Sequence, residues 1–269
     1  MGERYAKGRL AQVVHRNPET KPAHRDAVKP FALIWDVDGT LADTERDGHR
    51  PAFNAAFAEL GLDWHWDERL YGELLAVAGG VERMHHYATT TRPTGLSPPE
   101  LEDLLSRLHA RKTAFYVRSV EAGLVRLRPG VERLLDEARA AGVRMAIATT
   151  TTRANVNALL KSCLGSDAIA RFDAIATASE APAKKPDPAV YLHALRALGI
   201  NACDALAIED SSNGLRAACA AGIACIVTRN DYTANDDFSG ARAVLDDLMH
   251  TRLCDLADIA GWQAGHHEG

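Results

Sequence analysis

Short apolar runs that stop abruptly at polar or acidic residues constrain this chain more than any other feature. Phe31-Ala-Leu-Ile-Trp35 ends at Asp36, Val143-Arg-Met-Ala-Ile-Ala148 at Thr149, and Ala205-Leu-Ala-Ile208 at Glu209-Asp210. Ile223-Ala-Cys-Ile-Val227 follows Gly222, and Phe172-Asp-Ala-Ile-Ala176 is a weaker run of the same kind. Such runs read as strands buried on both faces, as in a parallel sheet. Helix-like segments near 131–141, 153–163, 187–199 and 212–221 lie between them. Leu134, Leu135 and Ala138 have helical spacing, and Gly142, Gly199 and Gly222 sit where C-terminal caps belong. Alternating strands and helices predict an α/β fold with helices on both sheet faces.

The stretch from 43 to 125 breaks this rhythm. Phe53, Phe57 and Leu60, then Leu101, Leu104, Leu105 and Leu108, give helix-like spacing instead. The expected organisation is a core domain of 31–42 and 126–250, with 43–125 as a helical domain inserted after the first strand. Residues 251–269 are expected to form a C-terminal tail. Residues 1–30 mix Arg4, Lys7, Arg9, Arg16 and Lys21 with acids, carry Pro18, Pro22 and Pro30, and lack the apolar segment of a secretory signal. They are expected to form a flexible extension.

Charge and cysteine usage narrow the function classes. A net charge of −5 offers no overall positive field for nucleic acid or an anionic membrane, so neither is an expected partner. No apolar run approaches the length of a bilayer span. Five cysteines, an odd number without a C-x-x-C pair, argue against a disulfide framework or zinc site and for a reducing, cytoplasmic setting. All five, Cys163, Cys203, Cys219, Cys225 and Cys254, are expected to be small buried hydrophobes.

Polar residues therefore collect where strands end, the edge at which open α/β sheets bind ligands. Asp36-Val-Asp38-Gly-Thr40 puts two carboxylates two apart beyond a strand, spaced to face one side, before a glycine that permits a sharp turn. A strand-ending Asp/Gly turn has the same composition. Glu209 and Asp210 repel one another unless a divalent cation compensates; Mg²⁺, with its preference for oxygen, suits two or three carboxylates beside a phosphate. An acidic helix N-cap at Asp210-Ser-Ser-Asn213 fits these residues too. Lys185 before Pro186 offers a point charge for a phosphate, or else a solvated basic loop, with Lys184 expected to face solvent. Thr149-Thr150-Thr151-Thr152 opens a helix, where hydroxyls and free N–H groups hold an oxyanion or serve as caps alone.

In this order the four elements resemble those of the haloacid dehalogenase-like phosphatases: D-x-D-G-T at Asp36–Thr40, a hydroxyl at Thr149, K-P at Lys185-Pro186, and an acidic pair at Glu209-Asp210. The resemblance spans about 31–250. It implies a Rossmann-like core with a mobile helical cap. It implies that Asp36 attacks phosphorus and becomes an aspartyl-phosphate, and that Asp38 protonates the leaving alcohol and then deprotonates water. It further implies that Thr149 and Lys185, with Thr150 and Thr151 nearby, hold phosphoryl oxygens. Mg²⁺ is then held by Asp36, the Asp38 backbone carbonyl and Asp210, with Glu209 acting directly or through water.

A narrower set is similar to the CbbY-like phosphatases: Leu41-Ala-Asp-Thr-Glu45, Gly79-Gly80, Glu82-Arg83, Leu108-His-Ala-Arg-Lys-Thr113, Arg128-Pro-Gly130 and Glu209–Ala218. These enzymes convert xylulose-1,5-bisphosphate, an inhibitor of Rubisco, to xylulose 5-phosphate, a step of carbohydrate metabolism tied to the Calvin cycle. By that resemblance Glu45, His49, Gly79, Gly80, Arg83, His109 and Lys112 contact the sugar or its second phosphate. Glu45 and His49 are four apart and share a helical face, while Arg83 and Lys112 can clamp a phosphate that does not react. Each of these charges is also compatible with a solvated helix face, and His85 and His86 are expected at the surface. The chain departs from the group's usual Gly-Gly-Lys-Glu-Arg at Val81. A phosphosugar mutase of the β-phosphoglucomutase kind and a phosphoglycolate phosphatase are the alternative activities on this scaffold; a monomer is expected.

Overall fold

A computed structural model describes residues 31–92 and 94–262. The expectation for 1–30 lies outside the described residues. Among the described residues six strands form one sheet: β1 (Ala32–Trp35), β2 (Arg144–Ala148), β3 (Ala174–Ala176), β4 (Ala205–Glu209), β5 (Ala224–Thr228) and β6 (Ala243–Leu245). Every pairing is parallel, and the order is β3-β2-β1-β4-β5-β6. The five apolar runs are five of these strands. β6, partly exposed over three residues, was too short and too wet to read from its pattern.

The strand order reverses between β1 and β4, the switch point at which such sheets open a crevice at their carboxyl ends. Register then fixes what meets there. Trp35 pairs with Ile147 on one side and Ile208 on the other. The next residue of each strand, Asp36, Ala148 and Glu209, therefore arrives at one level. The Asp36 N–H is held by the Ile208 carbonyl at 3.0 Å.

Helices cover both faces. α5 (Val131–Ala140), α6 (Arg153–Leu164) and α9 (Leu253–Ala260) flank one side; α7 (Ala189–Leu198) and α8 (Ser212–Ala220) flank the other. Trp35, Leu33, Leu134 and Ile147 are completely buried on the first side, and Ile34, Val190 and Tyr191 on the second. Each such apolar side chain contributes about 1.5–3 kcal/mol relative to exposure. The segment beyond 250 was expected as a tail, but through Trp262 it is part of this core. Leu256 is fully buried and Trp262 stacks on Phe31 at 4.8 Å between ring centroids.

Between β1 and α5 the chain builds a π-helical turn (Glu45–His49), α1 (Arg50–Glu59), α2 (Glu68–Leu74), α3 (Gly80–His86), a second π-helical turn (Tyr87–Thr91) and α4 (Pro98–Glu121). These helices have a separate core of Phe53, Phe57, Trp64, Trp66, Tyr71 and Tyr87, whose rings pack mostly tilted or edge to face, with Phe53 and Phe57 stacked. α4 serves both cores. Leu101, Leu105 and Leu108 belong to the helical cluster, whereas Tyr116 and Val120 belong to the sheet's. No described helix is long and apolar enough to cross a membrane.

Two expectations fail at the surface. Of the cysteines only Cys225 is buried; Cys163 is half-buried and Cys203, Cys219 and Cys254 are exposed, because the last three lie on outer faces of helical turns. Lys184 is half-buried, since it reaches from the loop after β3 to pair with Glu82 on α3.

Candidate active site

Asp36 and the acidic pair converge as the register requires. One ligand atom each of Asp36, Glu209 and Asp210 lies within 4.8 Å of the others, and all three residues are buried. Lys185 closes the group: its Nζ donates to Asp36 Oδ1 at 2.5 Å, Glu209 Oε1 at 2.6 Å and the Ala148 carbonyl at 2.9 Å. Tyr191 donates its hydroxyl proton to the same Glu209 oxygen. Burial pushes the Asp36 carboxyl up to about 7 against the pull of Lys185, with Glu209 and Asp38 adding to the rise. Burial likewise raises Asp210, reinforced by Asp36 and Glu209. Lys185 itself is driven up, because Asp36 and Glu209 outweigh its burial.

Three carboxylates face one ammonium, an excess of two negative charges if all ionise. Buried charge of that size requires a counter-ion, and an all-oxygen donor set of this kind suits a hard divalent cation. The backbone is shaped for it. Gly39 has φ +85°, and a Cβ there would lie 2.2 Å from Asp210 Oδ2. A Cβ at Gly214 would lie 1.9 Å from Glu209 Oε2. Both glycines therefore allow carboxylates to approach the main chain where a side chain would block them.

Asp38 does not join this group. Its Oδ1 accepts from the Thr44 hydroxyl at 2.6 Å and lies 3.1 Å from His49 Nε2. The two aspartates thus take different side-chain partners, although Asp38 is near enough to add to the rise at Asp36. His49, buried and stacked on Tyr116 at 4.1 Å, presents Nδ1 to Lys112 Nζ at 3.0 Å. An ammonium can only donate, so Nδ1 accepts and Nε2–H is directed at Asp38. Burial would raise Asp38, but His49, Thr44 and Lys112 together hold it below the usual carboxylate value. Burial drops Lys112 to about 8 despite Glu45 and Asp38.

The remaining sugar-contact candidates divide. Arg83 is buried, bonding the Tyr71 hydroxyl at 3.0 Å and the Leu74 carbonyl at 3.1 Å. Tyr71 donates in turn to Glu45. Glu45, Arg83, His49 and Lys112 thus form one buried or half-buried polar cluster above Asp38, and the solvated-face alternative fails for all but the half-exposed Glu45. Gly79 caps α3, and Gly80 starts it against Phe53 and His109. His109 is half-buried and faces a groove of about 510 Å³ between α3 and α4 that Val81 and His85 also line. His85 and His86 are exposed as expected.

Thr149 is buried at the end of β2, and its hydroxyl accepts from the Thr151 N–H at 3.2 Å. The Thr151 hydroxyl accepts from Asn155 at 3.1 Å, and Thr152 caps α6. The cap reading therefore holds for Thr152. Thr149 and Thr150 stand beside the Ala148 carbonyl that binds Lys185.

Two supporting residues, Asn230 and Tyr191, carried no local signal. Asn230 donates to Asp210 Oδ2 at 2.7 Å. Tyr191 comes from the buried face of α7. Arg128, read only as part of an Arg-Pro-Gly match, donates to the carbonyls of Gly39, Thr228, Arg229 and Asp246 at 2.6–3.0 Å and pairs with Asp43 at 3.4 Å. It ties the turn after Asp38 to the ends of β5 and β6.

Residues 32–222 match the haloacid dehalogenase-like hydrolase family. The chain is 51% identical over 247 residues to the plasmid CbbY protein of Cupriavidus necator, covering 87% of this chain and 97% of that one. It is 48% identical over 217 residues to CbbY of Rhodobacter capsulatus, covering 81% and 93%. The crystal structure of CbbY from Rhodobacter sphaeroides in complex with phosphate superposes with a TM-score of 0.77 at 43% identity, covering 84% of this chain and 98% of that one. A mutant of the same protein in complex with xylulose-(1,5)bisphosphate gives 0.76 at 42% identity, with the same coverage. The chain belongs to the haloacid dehalogenase-like hydrolase family and, within it, is similar to the CbbY proteins.

Proposed function

We propose that this chain is a Mg²⁺-dependent phosphosugar phosphatase that hydrolyses xylulose-1,5-bisphosphate to xylulose 5-phosphate through an aspartyl-phosphate on Asp36. The observation that carries the reading is the divergence of the two aspartates. Asp36 faces Lys185 and the acidic pair, while Asp38 faces His49 and the cap cluster. In this reading Asp36 serves phosphorus and Asp38 the sugar oxygen. The bisphosphate complex of the Rhodobacter sphaeroides protein supports the substrate class.

A cation held by Asp36, Asp210 and the Asp38 backbone carbonyl, with Glu209 directly or through water, would neutralise phosphoryl charge. The chain's own groups do the rest. A carboxylate oxygen of Asp36 bonds to phosphorus as the bond from phosphorus to the sugar oxygen breaks, and Asp38 delivers a proton to that oxygen. Water then attacks phosphorus, Asp38 takes its proton, and the Asp36 carboxylate leaves. Lys185 neutralises charge on the phosphoryl oxygens. Thr149, with Thr150 and Thr151, offers further donors at the start of α6. Glu45, His49, Arg83 and Lys112 hold the remainder of the sugar and its second phosphate, with Gly79, Gly80 and His109 as further contacts from α3 and α4.

Asp38 is held below the usual carboxylate value, so it must take up a proton from solvent before it can act as the acid, and its bond to His49 must then give way to one with the leaving oxygen. All five cysteines are free thiols, in keeping with a cytoplasmic enzyme. Steady-state phosphate release with Mg²⁺ from xylulose-1,5-bisphosphate, phosphoglycolate and hexose phosphates tests the assignment. The bisphosphate is expected to give the highest kcat/KM; no hydrolysis of any phosphosugar would overturn it.

A further inference from the structure

We propose that Asn230 is a positioning residue for the metal-binding carboxylate of Asp210, and that Tyr232 anchors it to the cap helices. The inference rests on the metal reading above but concerns residues that reading does not use.

The amide of Asn230 has only one consistent orientation. Its Oδ1 accepts from the backbone N–H groups of Tyr232 at 2.9 Å and Thr233 at 3.2 Å. Nδ2 must then be the end facing Asp210 Oδ2 at 2.7 Å, with the Gly39 carbonyl 3.5 Å away. The backbone N–H of Asn230 is itself fixed on the Thr233 hydroxyl at 3.0 Å. A tight turn thus presents one N–H donor to one carboxylate oxygen. Asp210 needs such a donor. It is buried beside Asp36 and Glu209, and the Thr40 hydroxyl, its other side-chain neighbour, stands 3.5 Å from Oδ1. Partners of this kind set the plane of a ligating carboxylate and typically change metal affinity 10- to 100-fold.

The turn is held from both ends. Below, Arg128 grips the Arg229 and Gly39 carbonyls together. Above, the Tyr232 ring meets Tyr71 edge-on at 5.8 Å and packs on Gly72 of α2. Tyr71 is the residue whose hydroxyl joins Glu45 and Arg83. A continuous set of contacts therefore runs from the Asp210 carboxylate through Asn230, Tyr232 and Tyr71 to the cap cluster. Metal affinity should then depend on how Tyr232 is seated.

Isothermal titration of the full chain with Mg²⁺ alone tests this, with thermal melting run alongside. Asn230→Ala is expected to raise the Mg²⁺ Kd by about 10- to 100-fold. Tyr232→Ala should raise it by a smaller factor, roughly three- to tenfold. Thr233→Val, which loosens the turn but keeps the Asn230 amide, should raise it by less than Asn230→Ala does, roughly two- to fivefold. An unchanged Kd in Asn230→Ala, or equal losses in Asn230→Ala and Thr233→Val, would overturn the positioning role. A wild-type Kd in Tyr232→Ala would overturn the anchoring. Failure of the wild-type chain to bind Mg²⁺ would overturn the metal reading and this inference with it, a result distinguishable from a wild type that binds and a variant that binds equally.

Discussion

Asp36 and Asp38 are two residues apart on one turn, yet Asp36 Oδ1 is bonded to Lys185 on the sheet side and Asp38 Oδ1 to Thr44 and His49 on the cap side. Their proton affinities separate accordingly, Asp36 raised and Asp38 lowered. Paired carboxylates in distinct surroundings are how one site holds a nucleophile and a proton carrier.

Asp36→Asn should abolish phosphate release, since a neutral amide is a poor nucleophile. The fold should survive, because the change removes one of three crowded carboxylates. Steady-state assay and melting of the same preparation check both parts; turnover near wild type would remove Asp36 from its role.

Asp38→Ala should lower kcat by about 10²–10⁴ through loss of acid–base help. It also strips His49 of its acceptor. Phosphate release measured at saturating substrate is the readout, and a loss under tenfold would show that another group moves the proton.

Lys112 gives a prediction in pH. Burial lowers it from 10.5 to about 8. Between those values the unfolded chain binds a proton that the folded chain has released, so stability rises with pH across that window. Lys112→Met should flatten that rise and stabilise the protein at pH 7 by on the order of 2 kcal/mol, less what the ammonium gains over the Phe53 ring and from its bond to His49 Nδ1. It should also raise KM for a bisphosphate. Melting curves from pH 7 to 10.5 test the sign; a destabilised variant at pH 7 would contradict it.

Lys184 and Glu82 join the loop after β3 to α3, across the two cores. With side chains 32% and 53% exposed, the pair is worth about 0–1 kcal/mol. Lys184→Ala should barely change the melting temperature and raise KM no more than about fivefold, an effect that fades in high salt. A large loss of kcat would place Lys184 in the chemistry.

What the sequence revealed follows from how local each signal is. Strands such as Phe31–Trp35 announce themselves because both faces are buried, and their ends at Asp36, Thr149 and Glu209 mark one sheet edge. α9 escaped notice because Leu253, Leu256 and Ile259 form a short stripe with no strand after it. His49 and Lys112 are 63 residues apart and meet only when α4 crosses the first π-helical turn. Asn230 lies in Arg229-Asn-Asp-Tyr-Thr233, which reads as an ordinary turn; its reach to Asp210 depends on the packing of Tyr232 and the grip of Arg128. Lys184 looked like one more loop charge because its partner, Glu82, is 102 residues away.

The most direct measurement is chemical trapping of the enzyme during turnover. Acid quench, borohydride reduction and peptide mapping should find homoserine at position 36 when phosphosugar and Mg²⁺ are both present, and none in Asp36→Asn. Full-rate phosphate release with no modification at Asp36, or modification at another residue, would contradict covalent catalysis at this carboxylate.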